Sequence, residues 1–476
     1  MNKKKVLREV EDFLEREDIL NQLEQDFASL IEIPSIAVGR EGSYTFGKQC
    51  AAALDKAIEI GSGYGFRTEN HEYYCASIIN GSKPEEVGIV AHLDVVPAGS
   101  GWEYNPFKLT VTDDKYIGRG TLDDKGPFIC GLYAMRFLKE SGKRLPFSVR
   151  LITGSDEEVG SHDLEYFAKV RKPPYFSFTP DAEFPVCIGE KGILQVDIML
   201  GRLPSEIAEL SGGSVSNAVP DTAYAVIWNS KTAPEKLLNT ERIRTERLDE
   251  RRIKITATGK SAHAAMPENG INAIGLLADY LLNSELLVCE KKPFRFLANS
   301  CGEYLGNALG IAATDEAFGY LTSIGGVLSV IDGIIVQNFN IRYIPDTTYK
   351  TVLDKIKKTL SSQGFAVQQG LVSEGYSLNK DDERIKALTD ACKYVLGCEC
   401  KPYTMGGGTY ARWLANTVAF GPTIKSERGK FGDGRGGAHQ RDEYFSKKEL
   451  KDTISIYILS ILNLAESFKK KEQANP

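Results

Sequence analysis

The sequence lacks the features that define several broad protein classes. No stretch among its 476 residues approaches the ~18 consecutive apolar residues of a membrane helix. Positive charge is not in excess, since 58 lysines and arginines stand against 64 aspartates and glutamates, a net charge of −6. The charged N-terminal segment has no apolar signal core. We therefore expect a cytoplasmic protein with no membrane and no nucleic acid as partner.

Cysteine gives no sign of a disulfide framework or a thiolate metal site. The nine cysteines are an odd number and lie scattered along the chain. The only close group is in GCECKP, where the spacing is too tight for a zinc knuckle and no matching pair follows. We expect reduced and mostly buried thiols.

Histidine is scarce too, with five in the chain, but two of the five stand at the ends of a series of acidic motifs. The motifs are HLDVVP, GRGTLDDKGP, GSDEEVGS, TPDAEFPV and GGAHQRDEYF, and their candidate ligands are His92, Asp123, Glu157, Glu158, Asp181 and His439. Imidazole and carboxylate without thiolate are ligands that zinc or manganese accepts. The series indicates a two-metal hydrolase.

Hydrophobic patterning divides the chain into two kinds of domain. Residues 1–190 alternate amphipathic helices with short apolar strands, which is typical of an α/β domain with a mainly parallel sheet flanked by helices. Residues 191–379 mix short alternating strands with a few helices, which predicts an α+β lid with an antiparallel sheet. His439 must reach the other ligands, so we expect residues 1–190 and 380–476 to form one discontinuous catalytic domain into which the lid is inserted. The candidate ligands follow apolar strands and should meet at one edge of the parallel sheet.

Each motif taken alone also has a plain structural explanation. His92 and Asp94 would lie on one face of an extended segment, where Asp94 could orient a metal-bound imidazole or close a turn. Asp123 could bridge two metals or belong to a solvated turn before a helix. In extended backbone Glu157 and Glu158 point apart, so one could bind metal while the other faces substrate, or both could lie in a loop. Only the combination of motifs favours the metal site.

The combination resembles the M20 family of metallopeptidases, and within it the bacterial dipeptidases of the PepV type. The resemblance covers nearly the whole chain and includes GKSAHAAMPENGINA and MGGGTYAR as well as the acidic motifs. It implies two divalent ions per chain, zinc first, with manganese or cobalt as alternatives. One ion would be held by His92, Asp123 and Asp181, and the other by Asp123, Glu158 and His439.

The resemblance also implies roles for other residues. Glu157 would be the general base, Asp94 would lie behind His92, and a cis peptide would follow Asp123. His263 in the lid would stabilise the oxyanion of the tetrahedral intermediate. The large lid implies that a monomer is sufficient.

Five further residues are candidates for substrate binding. Asn217 and Arg342 match lid positions that hold substrate in the family, and the guanidinium of Arg342 suits a terminal carboxylate. Gly407, Gly408 and Thr409 would let the backbone approach the peptide closely.

We therefore predict an enzyme that hydrolyses dipeptides with a free N-terminus. Two alternatives stay open. One is an N-acyl amino acid deacylase of the same family, which would cleave acetyl or succinyl amides. The other is a noncatalytic protein that binds a ligand or a metal, against which the presence of Glu157 argues.

Overall fold

The structure is a computed structural model that describes residues 2–228, 238–284, 287, 291–432 and 434–474. The chain forms two compact units, each with its own hydrophobic core. The first unit consists of residues 1–188, 378–403 and 408–476, and the second of residues 189–377 and 404–407.

The elements are numbered in chain order. The helices are α1 (Lys3–Glu15), α2 (Glu17–Ile31), α3 (Lys48–Gly63), α4 (Lys125–Glu140), α5 (His162–Val170), α6 (Ala273–Asn283), α7 (Lys292–Cys301), α8 (Tyr349–Ser361), α9 (Glu383–Leu396) and α10 (Lys447–Ala474). The strands are β1 (Arg67–His71), β2 (Cys75–Asn80), β3 (Glu86–His92), β4 (Thr110–Val111), β5 (Lys115–Ile117), β6 (Ser148–Gly154), β7 (Phe176–Thr179), β8 (Ala182–Glu183), β9 (Val186–Glu190), β10 (Gly192–Arg202), β11 (Ile207–Gly212), β12 (Thr222–Trp228), β13 (Ile243–Arg247), β14 (Arg252–Thr258), β15 (Thr314–Asp315), β16 (Gly319–Tyr320), β17 (Thr322–Ile331), β18 (Ile334–Tyr343), β19 (Ala366–Ser373), β20 (Tyr376–Ser377), β21 (Tyr403–Met405), β22 (Thr417–Phe420), β23 (Pro422–Thr423) and β24 (Tyr444–Ser446).

The first unit is built on a mixed sheet whose centre is parallel. The neighbouring strands β6, β3, β7 and β22 all run parallel, and β2 and β9 flank them in antiparallel pairs. The central strands are buried along most of their length and consist of apolar runs such as VGIVA, the pattern of a sheet covered on both faces. The carboxyl ends of β6, β3 and β7 therefore lie side by side.

Helix ends in this unit have the expected local signals. The side chain of Asp382 accepts a hydrogen bond from the Arg384 N–H and caps the start of α9. Gly397 ends the same helix in the left-handed conformation with φ 66°. Helices α9 and α10 pack together and contribute Leu388 and Ile454 to the core.

The second unit is an α+β structure on an eight-stranded antiparallel sheet. The strand order is β13-β14-β12-β11-β17-β18-β10-β19, and every pair in it is antiparallel. Helices α6, α7 and α8 contribute Ile274, Phe294 and Ile356 to the core under this sheet. The predicted α/β domain with an inserted antiparallel α+β lid is confirmed as a fold class.

The division differs from the predicted one by two residues at each junction and in one short segment. Residues 404–407, placed by the sequence in the catalytic domain, belong to the second unit. The physical reason is their bonding: the Met405 carbonyl accepts a hydrogen bond from the Lys191 N–H at 3.0 Å, and the Thr404 hydroxyl donates to the Ala317 carbonyl.

Two further predictions concern membrane helices and cysteines. Within the described part of the chain no helix is long and apolar enough to cross a membrane. The eight described cysteines are free thiols, of which Cys398 alone is exposed, and Cys289 lies outside the described residues.

Candidate metal centre

Three of the predicted ligands lie at or just after the carboxyl ends of three adjacent parallel strands of the first unit. His92 is the last residue of β3, Glu158 lies in the loop after β6, and Asp181 lies just after β7. The carboxyl ends of parallel strands form the usual ligand crevice of such a sheet. The sheet therefore brings together residues that are far apart in sequence.

Asp123 and His439 complete the cluster from two loops. Asp123 precedes α4, and the peptide bond between Asp123 and Asp124 is cis, as the resemblance implied. One carboxylate oxygen of Asp123 is 2.9 Å from Nε2 of His92, and the other is 3.1 Å from Nε2 of His439. Asp123 thus lies between the two histidines.

The donor atoms form two sets that share Asp123. The first set is His92, Asp123 and Asp181, and the second is Asp123, Glu158 and His439. Within each set the donor atoms lie within 4.8 Å of one another. A divalent ion with ligand bonds of about 2.0–2.2 Å can join donors at this spacing after small side-chain movements.

The charge of the cluster also fits cations. Burial raises the pKa of the Asp181 carboxyl well above its usual range, and repulsion from Glu157 and then Asp123 raises it further. Burial likewise raises the pKa of Glu158, with Asp123 adding to the effect. The site concentrates more carboxylate than its two imidazoles neutralise, and divalent cations would relieve that repulsion.

The pKa values of the two imidazoles are raised and that of Asp123 is lowered, because these groups are bonded to one another. Burial alone would lower the pKa of His92, but hydrogen bonds to Asp123 and Asp94 raise it. Hydrogen bonds to Asp123 and Glu158 raise the pKa of His439 to about 10. Burial would raise the pKa of Asp123, yet the hydrogen bonds with His439 and His92 outweigh it and hold this pKa below its usual range.

Glu157 lies beside the donor sets and belongs to neither of them. Burial raises the pKa of its carboxyl well above the usual range; the imidazole of His92 opposes this rise, and the carboxylate of Glu158 adds to it. A carboxylate whose proton affinity is raised is suited to accept and release a proton near neutral pH.

Asp94 lies behind His92 and has further partners in a neighbouring loop. The nearest partner of the His92 Nδ1 is the main-chain oxygen of Asp94 at 3.1 Å, while the carboxylate of Asp94 is 3.4 Å away. That carboxylate accepts the backbone N–H groups of Glu157 at 3.2 Å and Glu158 at 3.0 Å. Asp94 therefore ties the strand end that carries His92 to the loop that carries both glutamates.

Sequence reasoning missed a second carboxylate that holds this loop. Asp163 in α5 is buried and accepts the N–H groups of Ser155 at 2.7 Å and Asp156 at 2.9 Å, together with the hydroxyl of Tyr410. Gly154 has no room for a Cβ, because Tyr410 and Asp163 fill that space. The sequence has no motif that marks Asp163.

In the loop MGGGTYAR, residues 405–412, Thr409 caps a short turn and Tyr410 contacts His92. The Thr409 hydroxyl accepts the Ala411 N–H at 3.1 Å and starts a short 3-10 turn. The ring of Tyr410 lies edge-on to His92, with 6.1 Å between centroids. A Cβ on Gly408 would overlap the guanidinium of Arg412, whereas at Gly407 it would meet nothing closer than 3.9 Å.

The second unit brings two of the predicted lid residues together. The backbone at Ala218 pairs with His263, and the Asn217 carbonyl accepts the Ala264 N–H at 2.9 Å. Nδ1 of His263 accepts the Ala265 N–H at 3.2 Å, which leaves the ring proton on Nε2. Partial burial of the ring and the charge of Arg342 lower the pKa of His263, so the neutral form is favoured.

Arg342 in β18 is buried within the second unit. Its Nε donates to the side-chain oxygen of Asn340 at 2.9 Å, and its Nη1 donates to the Gly406 carbonyl at 3.3 Å. These bonds fix the plane of the guanidinium and join β18 to residues 404–407.

The chain is similar to known proteins over most of its length. The family model of peptidase family M20/M25/M40 matches residues 88–463. A Staphylococcus epidermidis protein described as a "putative dipeptidase" is 31% identical over 462 residues, covering 93% of this chain and 97% of the relative.

Solved structures share the fold at low sequence identity. The di-peptidase Dug1p from Saccharomyces cerevisiae has a TM-score of 0.57 at 15% identity, covering 98% of this chain and 99% of that one. The aminoacylhistidine dipeptidase from Vibrio alginolyticus has a TM-score of 0.56 at 16% identity, covering 94% and 96%.

Proposed function

This chain belongs to peptidase family M20/M25/M40, and from that premise we propose that it is a dipeptidase that uses two divalent metal ions. The observation that carries the proposal is the pair of donor sets that share Asp123, with Glu157 beside them. The relatives described as dipeptidases support the substrate class.

The residues of each donor set would hold one ion. His92, Asp123 and Asp181 would bind the first ion, and Asp123, Glu158 and His439 the second. We propose zinc, because imidazole and carboxylate donors at this spacing suit it, with manganese and cobalt as alternatives. Bound metal would polarise the scissile carbonyl and acidify a water molecule.

Glu157 performs the proton transfers in this proposal. Its carboxylate takes a proton from the attacking water and delivers it to the amine that leaves. The backbone N–H groups of Glu157 and Glu158 donate to the Asp94 carboxylate, and these two hydrogen bonds hold Glu157 in place beside the donor sets. Burial of Glu157, which raises the pKa of its carboxyl, favours its taking up a proton.

Residues of the second unit would recognise the substrate. The Nε2–H of His263 is the donor that an oxyanion needs, since the other ring nitrogen already accepts a hydrogen bond. Arg342 would bind the terminal carboxylate of the dipeptide, and Asn217 would bind its backbone. The backbone of Gly407, Gly408 and Thr409 would lie close to the peptide. A single chain carries all of these residues, so a monomer would suffice.

Turnover measurements after metal removal test the proposal. Dialysis against a chelator should abolish hydrolysis of dipeptides with a free N-terminus, and zinc or manganese should restore it. The substrate panel should include tripeptides, N-acetyl amino acids and N-succinyl amino acids. Full activity of metal-free protein would contradict the metal centre, and cleavage of the acyl amino acids alone would identify a deacylase instead.

A further inference from the structure

Glu443 is a fully buried carboxylate four positions after His439 in the motif GGAHQRDEYF. Its Oε1 accepts three backbone N–H groups of the loop that ends in the shared ligand. These come from Gly120 at 3.1 Å, Leu122 at 2.8 Å and Asp123 itself at 3.1 Å. One oxygen atom therefore fixes the backbone that presents Asp123.

The other oxygen of Glu443 is bonded to a buried arginine. Nη1 of Arg119 donates to Oε2 of Glu443 at 2.6 Å, and both side chains are almost fully enclosed. Nη2 of Arg119 lies 3.3 Å from the His439 carbonyl and 3.4 Å from the Ala98 carbonyl. The pair links the loop of Asp123 to the loop of His439.

The backbone around Glu443 strengthens this link. The Glu443 carbonyl accepts the Gly118 N–H at 3.0 Å and the Thr121 hydroxyl at 3.1 Å. His439 has φ 62° and Asp442 has φ 51°, a left-handed conformation that residues other than glycine rarely adopt. Such a conformation persists only where the surrounding bonds determine it.

We propose that Glu443 is a positioning residue of the metal centre, which sets the place of Asp123 directly and that of His439 through Arg119. Asp123 and His439 both belong to the second donor set. Groups behind metal ligands tune affinity because small errors in ligand placement weaken every bond to the ion. This inference rests on the proposed metal-dependent function.

The chain offers a matched control in Glu449. It is also fully buried, and it accepts the Ile424 N–H at 3.1 Å, the Ser446 N–H at 3.3 Å and a hydrogen bond from Arg428. It thus has the same kind of partners as Glu443, but none of these partners is a proposed metal ligand.

The experiment compares Glu443→Gln with Glu449→Gln and the unchanged protein. Zinc alone and manganese alone are titrated into each metal-free protein in competition with a chromophoric chelator, and thermal unfolding is followed by circular dichroism. Both variants lose a buried ion pair, so both should unfold at a lower temperature. Only Glu443→Gln should bind metal more weakly, by about 10- to 100-fold. Should it fail to fold, Glu443→Asp, which keeps the charge but shortens the reach, should show the same loss.

The outcomes separate this inference from the proposed function. If the unchanged protein binds neither metal, the proposed function fails. If it binds metal and Glu443→Gln binds equally well, only the positioning role is refuted. Equal loss of metal affinity in both variants would also refute it, because that result would reflect general destabilisation.

Discussion

Exchanging Glu157 and Glu158 separately for glutamine would distinguish proton transfer from metal binding. The two residues are adjacent, and their N–H groups bind the same carboxylate, that of Asp94, at 3.2 and 3.0 Å. Glutamine preserves the size of either side chain and leaves those backbone bonds in place. The two variants should therefore differ only through the side-chain head group.

The expected magnitudes follow from the two positions. Oε1 of Glu158 is 3.0 Å from Nε2 of His439 within the second donor set, whereas Glu157 is in neither set. Glu157→Gln should keep its metal and lose about 10²–10⁴-fold in kcat, the usual contribution of a general base. That loss corresponds to about 2.7–5.5 kcal/mol in the activation barrier. Glu158→Gln should instead lose the ion of the second set.

The assay combines steady-state hydrolysis of a free dipeptide with metal analysis by atomic spectroscopy after gel filtration. Measurement at saturating metal separates a slow chemical step from an incompletely loaded site. Loss of metal from Glu157→Gln together with retention in Glu158→Gln would refute the assignment of the pair. So would a Glu157→Gln variant that keeps more than about a tenth of the kcat while fully loaded.

Two further predictions concern Arg342 and His71. Arg342→Met should lower kcat/KM by about 10- to 150-fold on free dipeptides, the equivalent of a charge-assisted hydrogen bond of roughly 1.5–3 kcal/mol, and should change little on C-terminally amidated dipeptides. Equal losses on both substrates would show that Arg342 only maintains the second unit through Asn340 and Gly406. Burial lowers the pKa of His71 from 6.5 to about 4, so His71 stays neutral in the folded protein above that pH. Its contribution to the free energy of unfolding is therefore complete above pH 6.5 and is lost as the pH falls toward 4. Metal-free protein should lose about 2 kcal/mol of unfolding free energy through this residue between pH 7.5 and pH 5, and urea unfolding of His71→Gln should show a correspondingly smaller acid effect.

The sequence predicted the parts of the site that follow from strand order. Three mainly apolar runs predict buried strands: VGIVA before His92, VRLIT before the two glutamates and YFSFT before Asp181. Parallel strands bring their carboxyl ends together. The strand pairing of β6, β3 and β7 has this arrangement.

The supporting hydrogen bonds could not be predicted in the same way. The sequence predicts Asp94 behind His92, but it does not indicate that the same carboxylate, 3.4 Å from Nδ1 of His92, also accepts two backbone N–H groups. Asp163 and Glu443 also act on backbone groups, and a backbone N–H has no signature in a sequence. Residues 404–407 join the second unit partly through main-chain groups, such as the Met405 carbonyl that accepts the Lys191 N–H, and such bonds equally leave no compositional signal.

The first unit is built from three separate segments of the chain, so it is completed only when residues 408–476 have been synthesised. The second unit lies mostly within residues 189–377 and has a separate core, so it can fold while the rest of the chain is still being made. His92, Asp123 and Asp181 have by then left the ribosome, but His439 and the core residues of α10, including Ile454 and Leu459, have not been translated. The second donor set is consequently completed late in translation, because a nascent chain stopped before residue 439 lacks one of its ligands.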